Sequence, residues 1–145
     1  EFLRLILSQD QRLMAFDAEN RLLAIRQDRI YGINRRLRIA TKSGFKNVAF
    51  PGRILISRSS GDGFNELLLV KQVDSACLVE ALGWEGDKFV DKWKTVTSQG
   101  IIADFLIRDF KNEGSDSLVL IQVNPLLFPN LTGFKSVVFA YDILP

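Results

Sequence analysis

The chain has 145 residues, of which 47% are hydrophobic and 25% charged, as expected for about one globular domain. It contains no histidine and one cysteine, which excludes Ser/His and Cys/His nucleophile pairs and an internal disulfide. The formal net charge is only +2, and no apolar run approaches the roughly 18 to 20 residues of a membrane-spanning helix.

Short runs rich in valine, isoleucine, leucine and phenylalanine recur along the chain, separated by glycine, asparagine, aspartate and serine. Such runs are typical of strands, and the residues between them are typical of turns. No stretch keeps helical periodicity for three turns, so the sequence predicts an all-β fold. The predicted strands, in chain order, are 2–7, 12–16, 21–26, 53–57, 66–72, 77–84, 88–95, 101–110, 117–123 and 135–143.

Part of this pattern is repeated within the chain. The stretch RILISRSSGDGFNELLLV, which begins at Arg53, matches DFLIRDFKNEGSDSLVLI, which begins at Asp104, at a spacing of 51 residues. The first 25 residues run parallel in the same way to the stretch that begins at Glu66. One unit is therefore strand, glycine-containing turn, strand, loop, strand, tight turn and strand. This order predicts a four-stranded antiparallel blade, and evenly spaced blades are typical of a β-propeller.

These residues resemble the FG-GAP/VCBS repeat family, and bacterial VCBS-repeat proteins in particular. The resemblance lies in GRILISRSSGDGFNELLLV, in the W-x-G turn that begins at Trp84, and in Trp93 of a fourth strand. It covers residues 50–145 well and residues 1–30 moderately. It implies an all-β fold of β-propeller-type repeats, the C-terminal blades of an incomplete ring. The implied units are a partial blade at 1–26, an insertion or linker at 27–52, a blade at 53–95 and a partial blade at 101–145.

The glycine-containing turns are candidate calcium sites, because the family's turn resembles D-x-D-x-D-G-x-x-E and its oxygens can converge on a hard cation. Arg58 and Lys111 stand where ligand carboxylates would be, and a fixed positive charge repels Ca²⁺. We therefore expect both turns to be metal-free, and we predict no cofactor and no catalytic residue. The acids that remain in these degenerate turns are Asp62, Glu66, Asp109 and Glu113.

Positive charge is concentrated in the first part of the chain. Residues 1–60 hold 12 Lys and Arg against 5 Asp and Glu, whereas residues 61–145 hold 7 against 12. The densest stretch can attract phosphate or an anionic glycan. Its arginines also alternate with Leu37 and Ile39, which favours a solvated strand. Phe45 is its only aromatic residue, which argues against nucleic acid as a ligand. The candidate anion-binding residues are Arg35, Arg36, Arg38, Lys42 and Lys46.

The resemblance implies a non-catalytic binding or scaffolding module that mediates protein or glycan interaction outside the cytoplasm, in the periplasm, at the cell surface or in the medium. Two alternatives remain open: a portion of a propeller-based polysaccharide-acting enzyme, and a binder of anionic surfaces or nucleic acid through residues 35–46. We expect Cys77 to be buried. Open strand edges at 2–7 and 135–143 are expected to pair with other blades of a longer chain or with another chain, and no membrane span is expected.

Overall fold

The computed structural model describes residues 3–27, 34–41, 43–51, 54–58, 65–73, 76–125 and 134–142. These residues form antiparallel β-sheets and contain no helix, so the predicted all-β class is confirmed. The strands are β1 (Arg4–Leu7), β2 (Leu13–Phe16), β3 (Leu22–Ile25), β4 (Asn34–Thr41), β5 (Gly44–Pro51), β6 (Ile54–Ser57), β7 (Glu66–Val73), β8 (Ala76–Glu85), β9 (Lys88–Lys94), β10 (Ser98–Gln99), β11 (Ile101–Arg108), β12 (Ser117–Pro125) and β13 (Phe134–Asp142).

The strands pair mainly with their neighbours in the chain. The first sheet has the order β1-β2-β3, and the last sheet has the order β11-β12-β13. In the middle sheet β6, β7 and β8 are adjacent, and β9 and β10 both pair with the other edge of β8. Strands β4 and β5 form a separate two-stranded sheet, which we call the ribbon. Within the described ranges, these sheets do not close into a barrel or a ring.

All ten predicted strands are confirmed, with ends that differ by at most two residues. The interval 27–52, predicted as an insertion or linker, contains the two strands of the ribbon, which the sequence pattern did not reveal as a pair. The two-residue strand β10 was also not predicted. No helix long and apolar enough to cross a membrane occurs in the part of the chain that the structure describes.

The internal repeat is reproduced in the strand register. Ile56 is paired with Leu67 between β6 and β7, and Ile107 is paired with Leu118 between β11 and β12. The second pair lies 51 residues after the first, which is the spacing found in the sequence. The repeat therefore reflects a common arrangement of β6-β7 and β11-β12.

The three larger sheets pack face to face in chain order. Leu67, Leu69 and Leu82 of the middle sheet pack with Leu13 of the first sheet. The alternate residues of the same strands pack against the last sheet in a second cluster, which comprises Leu68, Val70, Cys77, Val79, Ala81, Ile102, Phe105, Leu118 and Leu120. The continuous apolar run of β7 follows from this position, because a strand buried on both faces has no polar side to alternate with.

Candidate functional site

A buried cluster of charged side chains lies between the first and the middle sheets. Arg26, which follows β3, places Nη2 3.0 Å from Oε1 of Glu80 and Nη1 2.8 Å from Oδ1 of Asp91. Nζ of Lys94 lies 3.0 Å from the same Glu80 oxygen, and Nζ of Lys71 lies 4.0 Å from it. Glu80 is fully buried on β8. Because buried charges require opposite charges close by, this cluster fixes the position of β3 against β8 and β9.

The same cluster shifts the pKa values of its two partly exposed members. The hydrogen bond from Lys94 lowers the pKa of Asp91, and Arg26 lowers it further. The hydrogen bond to Asp91, together with the one to Glu80, raises the pKa of Lys94. Both shifts favour the charged forms, so Asp91 and Lys94 stay ionised around neutral pH. The cluster acts as an electrostatic clamp between two sheets.

A polar cavity of about 390 Å³ lies beside this clamp. Its lining includes Arg26, Gln27, Lys88 and Asp91, together with the apolar side chain of Phe89. Two of these charged groups already take part in the clamp. The cavity thus borders the clamp on the side of Gln27 and Lys88.

An open groove of about 330 Å³ lies elsewhere along the junction of the first and middle sheets. Trp84 and Phe89 form one part of it, with their rings edge to face, 5.1 Å apart at the centroids and inclined by 78°. Asn65 lies at this groove, and its Oδ1 accepts a hydrogen bond of 3.0 Å from Nε of Arg58. The apolar part of the lining comprises Leu3, Leu5, Ile56, Leu67, Leu82, Trp84 and Phe89.

The alternation of strand β8 explains why Trp84 reaches this groove. Leu82 belongs to the core cluster towards the first sheet, and Trp84 follows it by two residues on the same face. Glu66 also borders the groove, but Oε2 of its carboxylate accepts a hydrogen bond of 3.3 Å from Nε1 of Trp93, which packs towards the last sheet. The groove therefore combines an aromatic wall with a polar amide at its border.

The second calcium-type turn uses its aspartate to order its own backbone. Oδ1 of Asp109 accepts a hydrogen bond of 3.0 Å from the Glu113 amide, and Oδ2 accepts one of 2.8 Å from the Gly114 amide. The Gly114 bond is the largest cause of the lowered pKa of Asp109, and the other amides of the turn add to it. Lys111 forms an ion pair of 2.7 Å with Asp142 on β13 instead of pairing with an acid of the turn.

The remaining candidate calcium ligands do not all lie in the turns themselves. Glu66 is the first residue of β7 and is buried, so it lies at the end of the first turn rather than in it. Ser117, which stands 51 positions later at the equivalent place in the second turn, begins β12 and is buried as well. Asp62 lies outside the described residues. No group of three or more Cys, Asp or Glu side chains that could hold a metal ion occurs in the described part of the chain. That the turns are metal-free remains a prediction.

Four of the five predicted anion-binding residues belong to the ribbon. Arg35, Arg36 and Arg38 lie on β4, and Lys46 lies on β5 opposite Ile39 and is exposed. Phe45 beside it is 68% exposed. Lys42 lies outside the described residues. The structure thus brings these positions into one two-stranded element, which the sequence suggested only as a strand-like stretch.

The residues that sequence reasoning did not identify are those of the clamp, namely Arg26, Lys71, Glu80, Asp91 and Lys94. One signal was present, because Glu80 interrupts the apolar run CLVEAL. Cys77 is buried as predicted, and its Sγ donates a hydrogen bond of 3.2 Å to the Gly100 carbonyl.

No family model matches the chain, and no curated protein and no solved structure matches it significantly. The FG-GAP/VCBS resemblance therefore rests on the sequence motifs alone, and a function has to be argued from the geometry of the molecule.

Proposed function

We propose that the chain is a section of a β-propeller and acts as a non-catalytic binding or scaffolding module, with the groove between the first and middle sheets as its ligand site. The observation that carries this proposal is the groove itself, which is lined by the edge-to-face pair of Trp84 and Phe89 together with Leu3 and Leu5. An aromatic wall with few polar groups is the usual composition of a ligand pocket.

A glycan or a protein segment fits this chemistry. The apolar faces of a sugar ring and aromatic or aliphatic side chains all pack well against indole. The amide of Asn65 and the guanidinium of Arg58, joined by their hydrogen bond, offer further donors and acceptors at the border for hydroxyl groups or a peptide backbone. The volume of about 330 Å³ suits a single ring or a single large side chain, which favours recognition of one terminal unit of a larger ligand.

The stacking of the sheets supports the propeller part of the proposal. Three consecutive antiparallel sheets pack in chain order, and the repeat places Leu67 and Leu118 at equivalent positions of two of them. Leu67 packs towards the preceding sheet, and so does Leu118. The middle and last sheets therefore have the same orientation in the stack, as blades have around a propeller axis.

The engagement of the charged groups supports a non-catalytic role. Glu80 and Asp91 are both held by Arg26 and Lys94, and Asp109 is bound by backbone amides. A general acid or base has to exchange a proton with a substrate, and the lowered pKa values of Asp91 and Asp109 disfavour this near neutral pH. A polysaccharide-acting enzyme is the less favoured alternative for this reason.

Tryptophan fluorescence tests the groove directly. Titration with neutral and acidic oligosaccharides and with short peptides rich in aromatic residues should change the emission of the wild type for at least one ligand. Trp84→Leu should abolish the binding of that ligand by calorimetry, whereas Phe110→Leu, a change at an exposed aromatic residue that does not line the groove, should leave it intact. If no ligand binds, or if Trp84→Leu binds as well as the wild type, the groove is not the ligand site.

The ribbon supports a second candidate, which is binding to an anionic surface. Its two strands pair with each other, and the exposed Lys46 and Phe45 lie on β5. Retention on heparin should be weak and should fall steeply with salt, because counterion release drives such binding. Lys46→Glu should reduce the retention more than Lys88→Glu, a change at an exposed lysine outside the ribbon; equal effects would exclude the ribbon as the binding element.

A further inference from the structure

The groove continues into a row of exposed apolar side chains along β6. Ile54 and Ile56 are paired with Leu69 and Leu67, so they stand on the face of the middle sheet that packs with the first sheet. Ile54 is nevertheless 39% exposed and Ile56 70%, and Ile56 also lines the groove. Exposed apolar side chains that adjoin an apolar groove indicate an interaction surface.

The internal repeat shows how the same row is used elsewhere in the chain. At the spacing of 51 residues, Phe105 corresponds to Ile54 and Ile107 to Ile56. Phe105 is only 1% exposed, and Ile107 packs against the core cluster between the middle and last sheets. These positions are therefore suited to apolar contact across a junction, and on β6 the described residues make this contact only in part.

Arg58 places a positive charge at the end of this row. It follows Ile56 by two residues, which corresponds to roughly 6.6 Å along an extended strand. Arg58 is exposed, and its Nε donates the hydrogen bond of 3.0 Å to Oδ1 of Asn65 at the groove. None of the acidic residues in the described ranges forms an ion pair with Arg58. Its guanidinium can therefore pair with a carboxylate of a ligand.

The polar side chains of the groove are already engaged. Oδ1 of Asn65 accepts the bond from Arg58, and Oε2 of Glu66 accepts one of 3.3 Å from Nε1 of Trp93. The rest of the described lining is apolar apart from the backbone of Gly83. A sugar ring needs hydrogen-bond partners for the hydroxyl groups that it buries, because an unpaired buried polar group is costly. The lining therefore favours an apolar side chain over a sugar ring.

We propose that the groove and the row on β6 bind an extended segment of a partner protein, with a large apolar side chain in the groove and an acidic side chain two residues away at Arg58. Residues two apart in an extended segment point to the same side at a spacing of roughly 6.6 Å, which matches the spacing of Ile56 and Arg58. The apolar side chain packs on the edge-to-face pair of Trp84 and Phe89, and the volume of about 330 Å³ holds one such side chain. The proposal rests on the function proposed above and assigns its ligand site to one class of ligand.

Peptides that differ in one residue test this assignment. The probe is a short peptide of serine and glycine with blocked ends, which contains one phenylalanine and, two positions away, one glutamate; both orders of the pair are used. One matched peptide has glutamine in place of the glutamate, and another has serine in place of the phenylalanine. Neutral and acidic oligosaccharides are titrated alongside. None of these ligands contains tryptophan, so the tryptophan emission of the protein reports binding.

Two arginine variants complete the comparison. Arg58→Gln removes the charge beside the groove. Arg108→Gln is the matched control, because Arg108 is also an exposed arginine at the end of a strand but does not line or border the groove. Thermal melting checks that both variants are folded, and the glutamate and glutamine peptides test the charge on the wild type independently of them.

The wild type should bind the phenylalanine and glutamate peptide in at least one order, with a dissociation constant of about 1 mM, because one buried side chain and one exposed ion pair supply only a weak interaction. The glutamine peptide should bind about two- to fivefold more weakly. Arg58→Gln should show the same loss for the glutamate peptide and none for the glutamine peptide, whereas Arg108→Gln should bind as the wild type does. The serine peptide should bind about tenfold more weakly or not at all.

Other outcomes would overturn the proposal in distinguishable ways. Equal binding of the glutamate and glutamine peptides, or equal effects of Arg58→Gln and Arg108→Gln, would show that Arg58 recognises no acidic residue. If oligosaccharides bind and Trp84→Leu abolishes this binding, while the peptides do not bind, the groove is still the ligand site but its ligand is not a protein segment. If none of these ligands changes the emission, the groove is not the ligand site, and the function on which the proposal rests fails as well.

Discussion

Replacing the buried carboxylate of the clamp is expected to destabilise the protein strongly. Glu80 is fully buried and lies 3.0 Å from both Arg26 and Lys94. Glu80→Gln keeps the size of the side chain but leaves the cations without this counter-charge. Removing one partner of a buried ion pair costs about 3 to 5 kcal/mol. Arg26 keeps Asp91, and the side chain of Lys94 is 43% exposed, so that it can turn towards water; we therefore expect a cost near the lower limit, about 3 kcal/mol.

The matched control lies on the same strand. Glu85 forms an ion pair of 2.7 Å with Lys92, but its side chain is 57% exposed. Exposed pairs contribute about 0 to 1 kcal/mol, so Glu85→Gln should change the free energy of unfolding by less than that. Urea denaturation followed by far-UV circular dichroism measures both variants. A loss in Glu80→Gln that is no larger than the loss in Glu85→Gln would refute the reasoning that the clamp is a buried electrostatic contact.

A double variant separates loss of charge pairing from loss of packing. Arg26→Met combined with Glu80→Leu removes both members of the buried pair and leaves Asp91 with Lys94, 2.9 Å away. Because apolar replacement of a whole buried pair is often neutral or stabilising, the double variant should be more stable than Glu80→Gln. A double variant that is as unstable as the sum of the two single changes would show that the two side chains act independently.

Three further outcomes are expected. Gly100→Ala should lower the melting temperature far more than Gly114→Ala. Both glycines have positive φ, but a Cβ at Gly100 would meet the Val123 carbonyl oxygen at 2.7 Å, whereas nothing lies within 4 Å of a Cβ at Gly114. Equal losses of melting temperature would contradict this prediction. Millimolar Ca²⁺ and chelators should leave the melting temperature unchanged, and a rise of several degrees with Ca²⁺ would show that the turns bind it. The lowered pKa of Asp91 makes its stabilisation complete above the unfolded-state value of about 3.9, and this stabilisation is lost as the pH falls through the folded-state pKa. The urea midpoint of Asp91→Asn should therefore fall less than that of the wild type between about pH 6 and about pH 3, and parallel falls would contradict the assignment.

The strands could be predicted because most of them bury at least one apolar face. The continuous apolar run at residues 67–70 reflects burial on both sides of β7, and this run also carries the repeat. The ribbon escaped prediction as a pair because its apolar residues alternate with Arg36 and Arg38, and such alternation does not reveal the partner strand. Strand β10 has two residues, which is too short for any pattern.

The candidate sites were harder to predict than the strands because they depend on contacts between distant residues. Arg26 and Glu80 lie 54 positions apart, and neither belongs to a motif. The turn motifs, in contrast, were visible in the spacing of their residues, but this spacing did not show which of the side chains are buried. Glu66 has the spacing of a turn ligand, yet it begins a strand and its carboxylate is bonded to Trp93 inside the molecule. Spacing identified the turns, and only the three-dimensional packing decided what their acids contact.

The two junctions of the stack differ in chemistry, and only one of them leaves an open groove for the ligand site proposed above. The junction of the middle and last sheets is closed by Phe105 and its apolar neighbours, and the buried Gln122 links β12 to β10 by accepting a hydrogen bond of 2.7 Å from Ser98. The junction of the first and middle sheets contains the clamp and the groove, because the four-residue strands of the first sheet cover less of their neighbour. The clamp holds this shorter sheet in place by charge where apolar contact is smaller. Because the clamp holds the two sheets together, the groove beside it can stay open without separation of the sheets, as a ligand site between two sheets requires.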